Sequence, residues 1–480
     1  MDLIRNRPLA ELRVGEHAEL VRALTLRDIE LFAALSGDVN PIHVEHEFAR
    51  TDPFHHVVAH GMWIGALISN VLGTMLPGPG TIYRSQAIEF LHPVVPGDSL
   101  AVGVTVADID RARNRVALDC TATNQDGVVV ARGRAEVLAP TESVAIPRFV
   151  PPDVVLHEKG KRYRNLIDAA HRYPAIRVAV VHPVDSVSLA GAVEAGRAGL
   201  IVPVLIGPRA KIEMAADLAG LSLSGIEIVD APHSHGAAKS AVQLARDGRV
   251  QALMKGALHT DELMHEVVSR ENGLLTERRV SHVFVLDVPT YARALFITDA
   301  AINVLPDLDA KRDIVQNAID LAHALGIPEP RVALISAVET VYPKVASTVD
   351  AAALCKMAER GQITGAMLDG PMAFDLAISP DAARTKSFVS RVAGRADILV
   401  VPNLEAGNML AKQLEYLAGA DIAGIALGAR VPVILTSRAD GELTRLASCA
   451  LAVMMVGAKS LQKTSEDVSQ ATPDREEAIS

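Results

Sequence analysis

Cysteine is scarce: Cys120, Cys355 and Cys449 are the three in 480 residues, and none has a paired or metal-ligand spacing. Such usage argues against a disulfide framework and against a zinc site, and it fits a reducing compartment, so the chain is expected in the cytoplasm. An excess of positive charge is also missing. The formal net charge of −10 makes nucleic acid and anionic membranes unsuitable partners, because neither attracts an acidic surface. No apolar run of the roughly 18 residues that a spanning helix needs escapes a charge or a breaker, so no bilayer span is expected. Residues 1–15 are charged and interrupted by Pro8, unlike a signal peptide.

What is present is an aliphatic, glycine-containing chain with few aromatics, long enough for about two or three domains. Two rhythms divide it. In the first third, Thr25 and Asp28 read as a helix cap, and apolar residues then recur at helical spacing until Gly37 and Pro41 break the pattern. A second apolar helix is expected over residues 61–76. Strand-like runs follow at 81–91, 100–107, 115–124 and 128–138, separated by turn residues such as Pro96-Gly97-Asp98. One long helix followed by an antiparallel sheet predicts an α+β domain. The proline-containing stretch after Ala139 reads as a linker. From Tyr163 onward strands and helices alternate, with buried-strand runs at 177–183, 200–207, 252–255, 283–286, 332–335, 398–401 and 431–435. That alternation predicts a mostly parallel sheet, or two, covered by helices. Residues 463–480 are polar and charged and read as a frayed tail.

The stretch Ser36-Gly37-Asp38-Val39-Asn40-Pro41-Ile42-His43 sets a carboxylate and an imidazole five residues apart around a turn. Adding water across an activated double bond needs such an acid–base pair, together with a donor on the carbonyl that becomes an enolate. Gly61, at an expected helix start, can present a backbone N–H for that purpose. A bare Asp–His pair in a turn is more often structural. The longer combination, with Ala59-His60-Gly61-Met62, Phe90-Leu91-His92-Pro93-Val94 and Pro96-Gly97-Asp98, resembles the MaoC-like hot-dog family of (R)-specific enoyl-CoA hydratases over residues 10–140. The resemblance implies that Asp38 and His43 position and activate water, that Asn40 orients the loop, and that the Gly61 amide polarises the thioester. Ser36 and His60 match the pattern as substrate-side residues, although packing of the helix and loop explains them as well. A CoA site at a dimer interface and syn addition are implied too.

In the second rhythm, polar residues fall at strand ends, where α/β sheets hold ligands: Lys255-Gly256, Thr298-Asp299 with Asn303, and Ser437-Arg438 with Asp440. Each alone has a structural reading, as a solvated charge, a helix cap or a loop start. In this order, with Ser281-His282-Val283-Phe284, Asp369-Gly370-Pro371 and Pro402-Asn403-Leu404-Glu405-Ala406-Gly407-Asn408, they resemble the phosphate acetyl/butyryltransferase family, nearer its butyryl branch, over residues 158–460. That family interconverts acyl-CoA plus phosphate with acyl phosphate plus CoA, with no bound metal or nucleotide. Lys255 and Arg438 are the candidate phosphate cations. Ser437, Thr298 and Asn303 are candidate oxyanion donors, and Asp299 or Asp440 could move a proton or orient Arg438. Acetyl-type members carry Leu-Ser-Arg-Gly before their last helix and an acid beyond it, where this chain has Ala447 and Ser448, then Met454.

The expected fold is therefore an α+β hot-dog domain followed by a two-lobed α/β domain of the isocitrate/isopropylmalate dehydrogenase-like type. Expected boundaries are 1–140 for the first domain, 141–157 for the linker, 158–465 for the second domain and 466–480 for a flexible tail. The expected function is bifunctional: hydration of trans-2-enoyl-CoA to (3R)-hydroxyacyl-CoA, and phosphate acetyl/butyryl transfer. CoA thioesters and inorganic phosphate serve as substrates rather than cofactors, and the chain is expected to form a homodimer or a higher homo-oligomer. The alternative is an active hydratase whose C-terminal domain senses acetyl-CoA and builds the oligomer without turnover. A nucleotide-linked dehydrogenase is disfavoured, since His182-Pro183 follows the first strand of the second domain in place of a glycine fingerprint.

Overall fold

The structure, a computed structural model, describes residues 3–45, 48–49, 56–150, 154, 156, 160–436 and 441–470, with side chains through Leu461. It divides into two compact units, Met1–Leu156 and His157–Ser480.

In the first unit the helix Leu26–Ser36 opens with a capping box. The Thr25 hydroxyl accepts from the Asp28 amide, and the Asp28 carboxylate accepts from the Thr25 amide. Gly37 closes the helix in the left-handed conformation (φ 74°), which a glycine adopts without steric cost. A five-stranded antiparallel sheet follows in the order His17–Ala23, Ser99–Asp110, Arg115–Thr123, Val129–Leu138, Ile82–Phe90. The helix Gly61–Thr74 buries Trp63, Ile64, Ile68, Val71 and Leu72 in a core shared with Leu100, Val102, Val104 and Leu118 of the sheet. Each such side chain, taken fully out of water, contributes about 1.5–3 kcal/mol. This is the helix-on-sheet arrangement that the residue order predicts. Three strands lie where none is expected. His17–Ala23 forms one sheet edge, and Ala145–Pro147, inside the expected linker, pairs antiparallel with Leu3–Arg5.

The second unit is built on one eleven-stranded sheet. Its order is Glu227–Asp230, Ile201–Gly207, Ile176–Val181, Ala252–Lys255, Val433–Ile434, Asp421–Leu427, Ser281–Asp287, Leu295–Thr298, Ile398–Val400, Arg331–Ile335, Met367–Met372. The two central strands, Asp421–Leu427 and Ser281–Asp287, run antiparallel to both of their neighbours. The strands on either side are parallel among themselves, so the two halves of the sheet point in opposite directions. The expectation of two lobes of the isocitrate/isopropylmalate dehydrogenase-like type is corrected here. The central pair is in register from Ser281↔Leu427 to Asp287↔Asp421 and joins both halves into one sheet within one compact unit.

The helix Glu442–Gln470 runs through this core and continues past the residue where a frayed tail is expected to begin. Its segment Glu442–Leu461 is long and apolar enough to cross a membrane by length and composition, which the reading of apolar runs overlooks. In the structure Ala447, Cys449, Ala450, Leu451, Ala452 and Val453 are buried against the sheet, so the apolarity serves the core.

Close strand approach gives a test of the first unit. A Cβ placed on Gly133 would lie 2.0 Å from the Ala87 carbonyl oxygen across the sheet. Gly133→Ala is therefore expected to destabilise this unit by about 1–3 kcal/mol, the usual cost of overpacking. Trp63 is the chain's one tryptophan and is buried in the same unit, so its fluorescence during urea unfolding reads the loss directly. An unchanged midpoint would contradict the packing described.

Candidate active sites

The chain between Ser36 and Gly61 folds back on itself through short-range bonds. The Ser36 hydroxyl donates to the Phe32 carbonyl at 2.6 Å and accepts from the Asp38 amide at 3.2 Å, turning the chain out of the helix. Asn40 then caps the short helix Pro41–Val44, accepting from the Ile42 amide at 3.4 Å, with Pro41 in the first turn. That turn carries His43 inward, where its Nδ1 meets the Val58 carbonyl at 2.8 Å. His60, at the cap position of the helix Gly61–Thr74, sets its Nε2 2.9 Å from the Asp38 carbonyl.

The two imidazoles pack against each other with ring centroids 3.9 Å apart and planes tilted by 32°, and Phe32 packs on His60 at 5.0 Å. One ligating atom from each of Asp38, His43 and His60 lies within 4.8 Å of the others. The structure thus brings together Asp38, His43 and His60, with Ser36 and Asn40 shaping the loop that holds them. Gly61 is adjacent, and the N–H groups of a helix's first turn have no intrahelical acceptor. A Cβ at Gly61 would stand 3.0 Å from the Phe90 ring, so a side chain there would press on that ring.

In the second unit, Lys255 ends the strand Ala252–Lys255, and its ammonium reaches the Gly256 and Leu258 carbonyls at 3.3 Å. It opens onto a cavity of about 510 Å³ with His282, Phe284, Gly424 and Thr436 in its wall. A larger cavity of about 1040 Å³ shares Thr260 and Ala301 with the first and is lined by Arg279 and Asn303. Lys255 and Asn303 therefore face neighbouring spaces.

Hydrogen bonding shows how Thr298, Asn303 and Asp299 are engaged in this structure. Thr298 and Asn303 read as oxyanion donors, yet both are buried and engaged within the chain. The Thr298 hydroxyl donates to the His282 carbonyl at 2.8 Å. The Asn303 amide donates to the Val280 carbonyl and to Asp299, while its oxygen accepts from Arg279 Nε at 2.9 Å. Asp299 accepts from the amides of Ala301, Ile302 and Asn303 as well as from the Asn303 side chain. Its carboxylate fixes the turn after Thr298 and does not stand open as a base. Ser437, Arg438 and Asp440 lie outside the described residues. Ser448, at the position of the acetyl-type motif, is fully buried; it donates to the Thr444 carbonyl and accepts from the Gly424 amide.

His282, in the strand that carries Ser281-His282-Val283-Phe284, is a further residue at this site that the sequence pattern does not single out. It is 1% exposed, lines the cavity with Lys255, and meets the Phe284 ring edge-on at 4.3 Å. Its Nδ1 has no hydrogen-bond partner among the described residues. Gly424 makes room for the ring, since a Cβ there would lie 3.0 Å from His282 Nε2. The available signal was an imidazole inside an otherwise apolar strand.

Burial pushes the His282 imidazole down to about 4, against the opposing pull of the Asp299 charge. The folded protein thus keeps it neutral while the unfolded chain takes up a proton below the ordinary value of 6.5. The associated stability is present above that value and is lost as pH falls toward about 4. Calorimetric unfolding of the second unit should show Tm falling across this window, and His282→Gln should flatten the fall. Equal slopes in the two proteins would exclude His282 as the titrating group.

Comparison with known proteins fits this division. Residues 13–126 match the family described as "MaoC like domain" and residues 235–453 match "Phosphate acetyl/butaryl transferase". A phosphate acetyltransferase of Rhizobium meliloti is 63% identical over 294 residues, covering 61% of this chain and 93% of the relative. The crystal structure of a branched-chain phosphotransacylase from Enterococcus faecalis V583 is similar with a TM-score of 0.52 and 29% identity, covering 58% of this chain and 99% of that one. R-Hydratase PhaJ1 from Pseudomonas aeruginosa is 42% identical, covering 32% of this chain and 99% of that one, with a TM-score of 0.32. The solved fold that the second unit resembles is thus a phosphotransacylase, which replaces the dehydrogenase-like type expected from the sequence. With 63% identity to an acetyltransferase, the missing Leu-Ser-Arg-Gly motif does not by itself assign the chain to the butyryl branch. The chain belongs to the phosphate acetyl/butyryl transferase family and carries a MaoC-like domain ahead of its transferase domain.

Proposed function

We propose that the chain is a two-activity enzyme of acyl-CoA thioesters. Its first domain adds water to trans-2-enoyl-CoA to give (3R)-hydroxyacyl-CoA, and its second exchanges the CoA of an acyl thioester for phosphate. The observation that carries the hydratase reading is the convergence of Asp38 and His43 beside the first-turn amide of Gly61, within a MaoC-like domain. The transferase reading is supported by 63% identity to a phosphate acetyltransferase over nearly its whole length.

The geometry suggests how hydration proceeds. A carbonyl only accepts, so the Val58 contact fixes the proton of His43 on Nδ1 and leaves a lone pair on Nε2. Nε2 and the Asp38 carboxylate share the task of taking a proton from water as its oxygen bonds to Cβ of the enoyl group. The Gly61 N–H donates to the thioester oxygen as the enolate forms, and the abstracted proton returns to Cα.

In the second domain, a phosphate oxygen attacks the acyl carbonyl, the C–S bond breaks, and the thiolate leaves as CoA. Lys255 is the cation proposed to hold phosphate. Ser437 and Arg438 are proposed to serve the oxyanion and phosphate, with Asp440 orienting Arg438; Asp299 and Asn303 shape the cavity's edge. A homo-oligomer is part of the same reading: the edge strand Ile82–Phe90 pairs with one strand among those described and leaves Ile82, Tyr83 and Phe90 exposed. A cytoplasmic location suits thiols such as Cys120 and Cys449, which burial pushes up to about 11 and about 12.

Two measurements test the assignment. Thiol release from acetyl-CoA or butyryl-CoA should require inorganic phosphate; release without phosphate would indicate a thioesterase, and no release would reduce the second domain to a binding module. Loss of the enoyl absorbance of crotonyl-CoA should fall by about 10²–10⁴-fold in Asp38→Asn and in His43→Gln, the usual worth of a positioned acid or base. Phosphate-dependent thiol release should stay at the wild-type rate in both variants. Hydration that survives both changes would remove Asp38 and His43 from the chemistry.

A further inference from the structure

We infer that Asp38, His43 and His60 form a binding site for a transition-metal dication of the Zn²⁺ type, and that its occupancy switches hydration off. The second clause rests on the hydratase reading; the first rests on geometry alone.

The tautomers carry the argument. His43 Nδ1 sits 2.8 Å from the Val58 carbonyl and His60 Nε2 sits 2.9 Å from the Asp38 carbonyl. Since a carbonyl only accepts, each of these nitrogens bears its ring's proton. The opposite nitrogens, His43 Nε2 and His60 Nδ1, therefore hold lone pairs. Metal-binding imidazoles are oriented in this way, with the outer N–H fixed on a backbone carbonyl and the inner nitrogen turned to the ion.

A second observation points to a ligand. His60 is 2% exposed, and its Nδ1 has no hydrogen-bond partner among the described residues. A buried lone pair with nothing to accept is unfavourable, and a cation would satisfy it. The ring centroids lie 3.9 Å apart with the planes tilted by 32°, and a ligating atom from each of the three residues lies within 4.8 Å of the others. Tetrahedral zinc, with bonds of about 2.0–2.2 Å, sets its ligands about 3.3 Å apart. The exposed Asp38 side chain is the member able to close that difference, because both imidazoles are held by the backbone.

Two imidazoles and one carboxylate suit Zn²⁺ or Co²⁺ rather than Mg²⁺ or Ca²⁺, which take oxygen ligands. Three protein ligands leave a fourth position for water. Occupancy would inhibit because the His43 and Asp38 lone pairs that bind the ion are the pairs proposed to take the proton from water.

The test uses the full-length, metal-free protein titrated with Co²⁺ and, separately, with Zn²⁺ against a chromogenic chelator. One tight equivalent per chain is expected, with the visible absorption of tetrahedral Co²⁺. His43→Gln, His60→Gln and the exposed-site variant Asp38→Asn should each weaken it at least tenfold, with their metal-free melting curves serving as the folding control. His235→Gln, altering a histidine of the second unit that lies near His233 and His265, should leave it intact. No tight equivalent in the folded wild type, or one that persists in the His43→Gln/His60→Gln double variant, overturns the site. Zn²⁺ should lower crotonyl-CoA hydration at least tenfold, reversibly with EDTA, while phosphate-dependent thiol release continues. Bound Zn²⁺ with unchanged or increased hydration overturns the switch. A wild type that binds Co²⁺ as described but hydrates no enoyl-CoA, even metal-free, upholds the site and refutes the hydratase reading.

Discussion

The hydrogen bond from His60 Nε2 to the Asp38 carbonyl is the constraint on which the first centre depends. Asp38 and Asn40 lie on exposed chain just past a helix end, where little apolar contact holds them. His60 lies across the fold at a buried helix start. Joining the two sets the height of the loop against the first-turn amides of Gly61–Thr74, and the tilted ring contact with His43 sets the second imidazole as well. A loop otherwise free to sample many conformations is thereby tied at its functional midpoint. The ordering entropy is met in the ground state and not when substrate arrives.

The second unit solves a similar problem with a carboxylate. Asp299 gathers three consecutive amides and the Asn303 side chain, so a strand end becomes a rigid turn. Buried polar groups in both units are paired mainly with backbone, as a low-dielectric interior demands. This changes how the site residues are understood. Thr298 and Asn303 stand next to the cavities, but their protons belong to the scaffold. Thr436 and the neutral His282 are among the residues that face the cavity with Lys255.

Much of this was legible in the sequence, and the failures have physical causes. The Thr25 cap, the Gly37 stop and the helix from Gly61 were readable because each depends on local backbone chemistry. The strand His17–Ala23 was not, because it lies on a sheet edge, carries Glu19 and Arg22, and keeps no position fully buried. Ala145–Pro147 reads as linker because Pro147 suits a strand end as well as a loop. In the second unit, the apolar runs marked the strands but not their directions. Two antiparallel strands at the centre are a tertiary choice that hydrophobic pattern leaves open. For the site, residue type identified which groups were polar at strand ends; it could not say which carbonyl would take the Thr298 proton.

His282 illustrates why a buried imidazole is harder to find than an exposed one. Its place depends on Gly424, a residue on another strand, leaving out a side chain so that the ring can fit. Its neutrality depends on burial outweighing the Asp299 charge nearby. Neither condition is visible at position 282 itself. The two units therefore use histidine in related ways: His43 and His60 are fixed in tautomer by carbonyls, and His282 is held neutral by exclusion of water. For His43 and His60 a carbonyl sets which nitrogen carries the ring proton before any substrate is present. For His282 exclusion of water does different work: it keeps the ring uncharged while Phe284 packs edge-on against it, as Phe32 packs on His60 in the first unit.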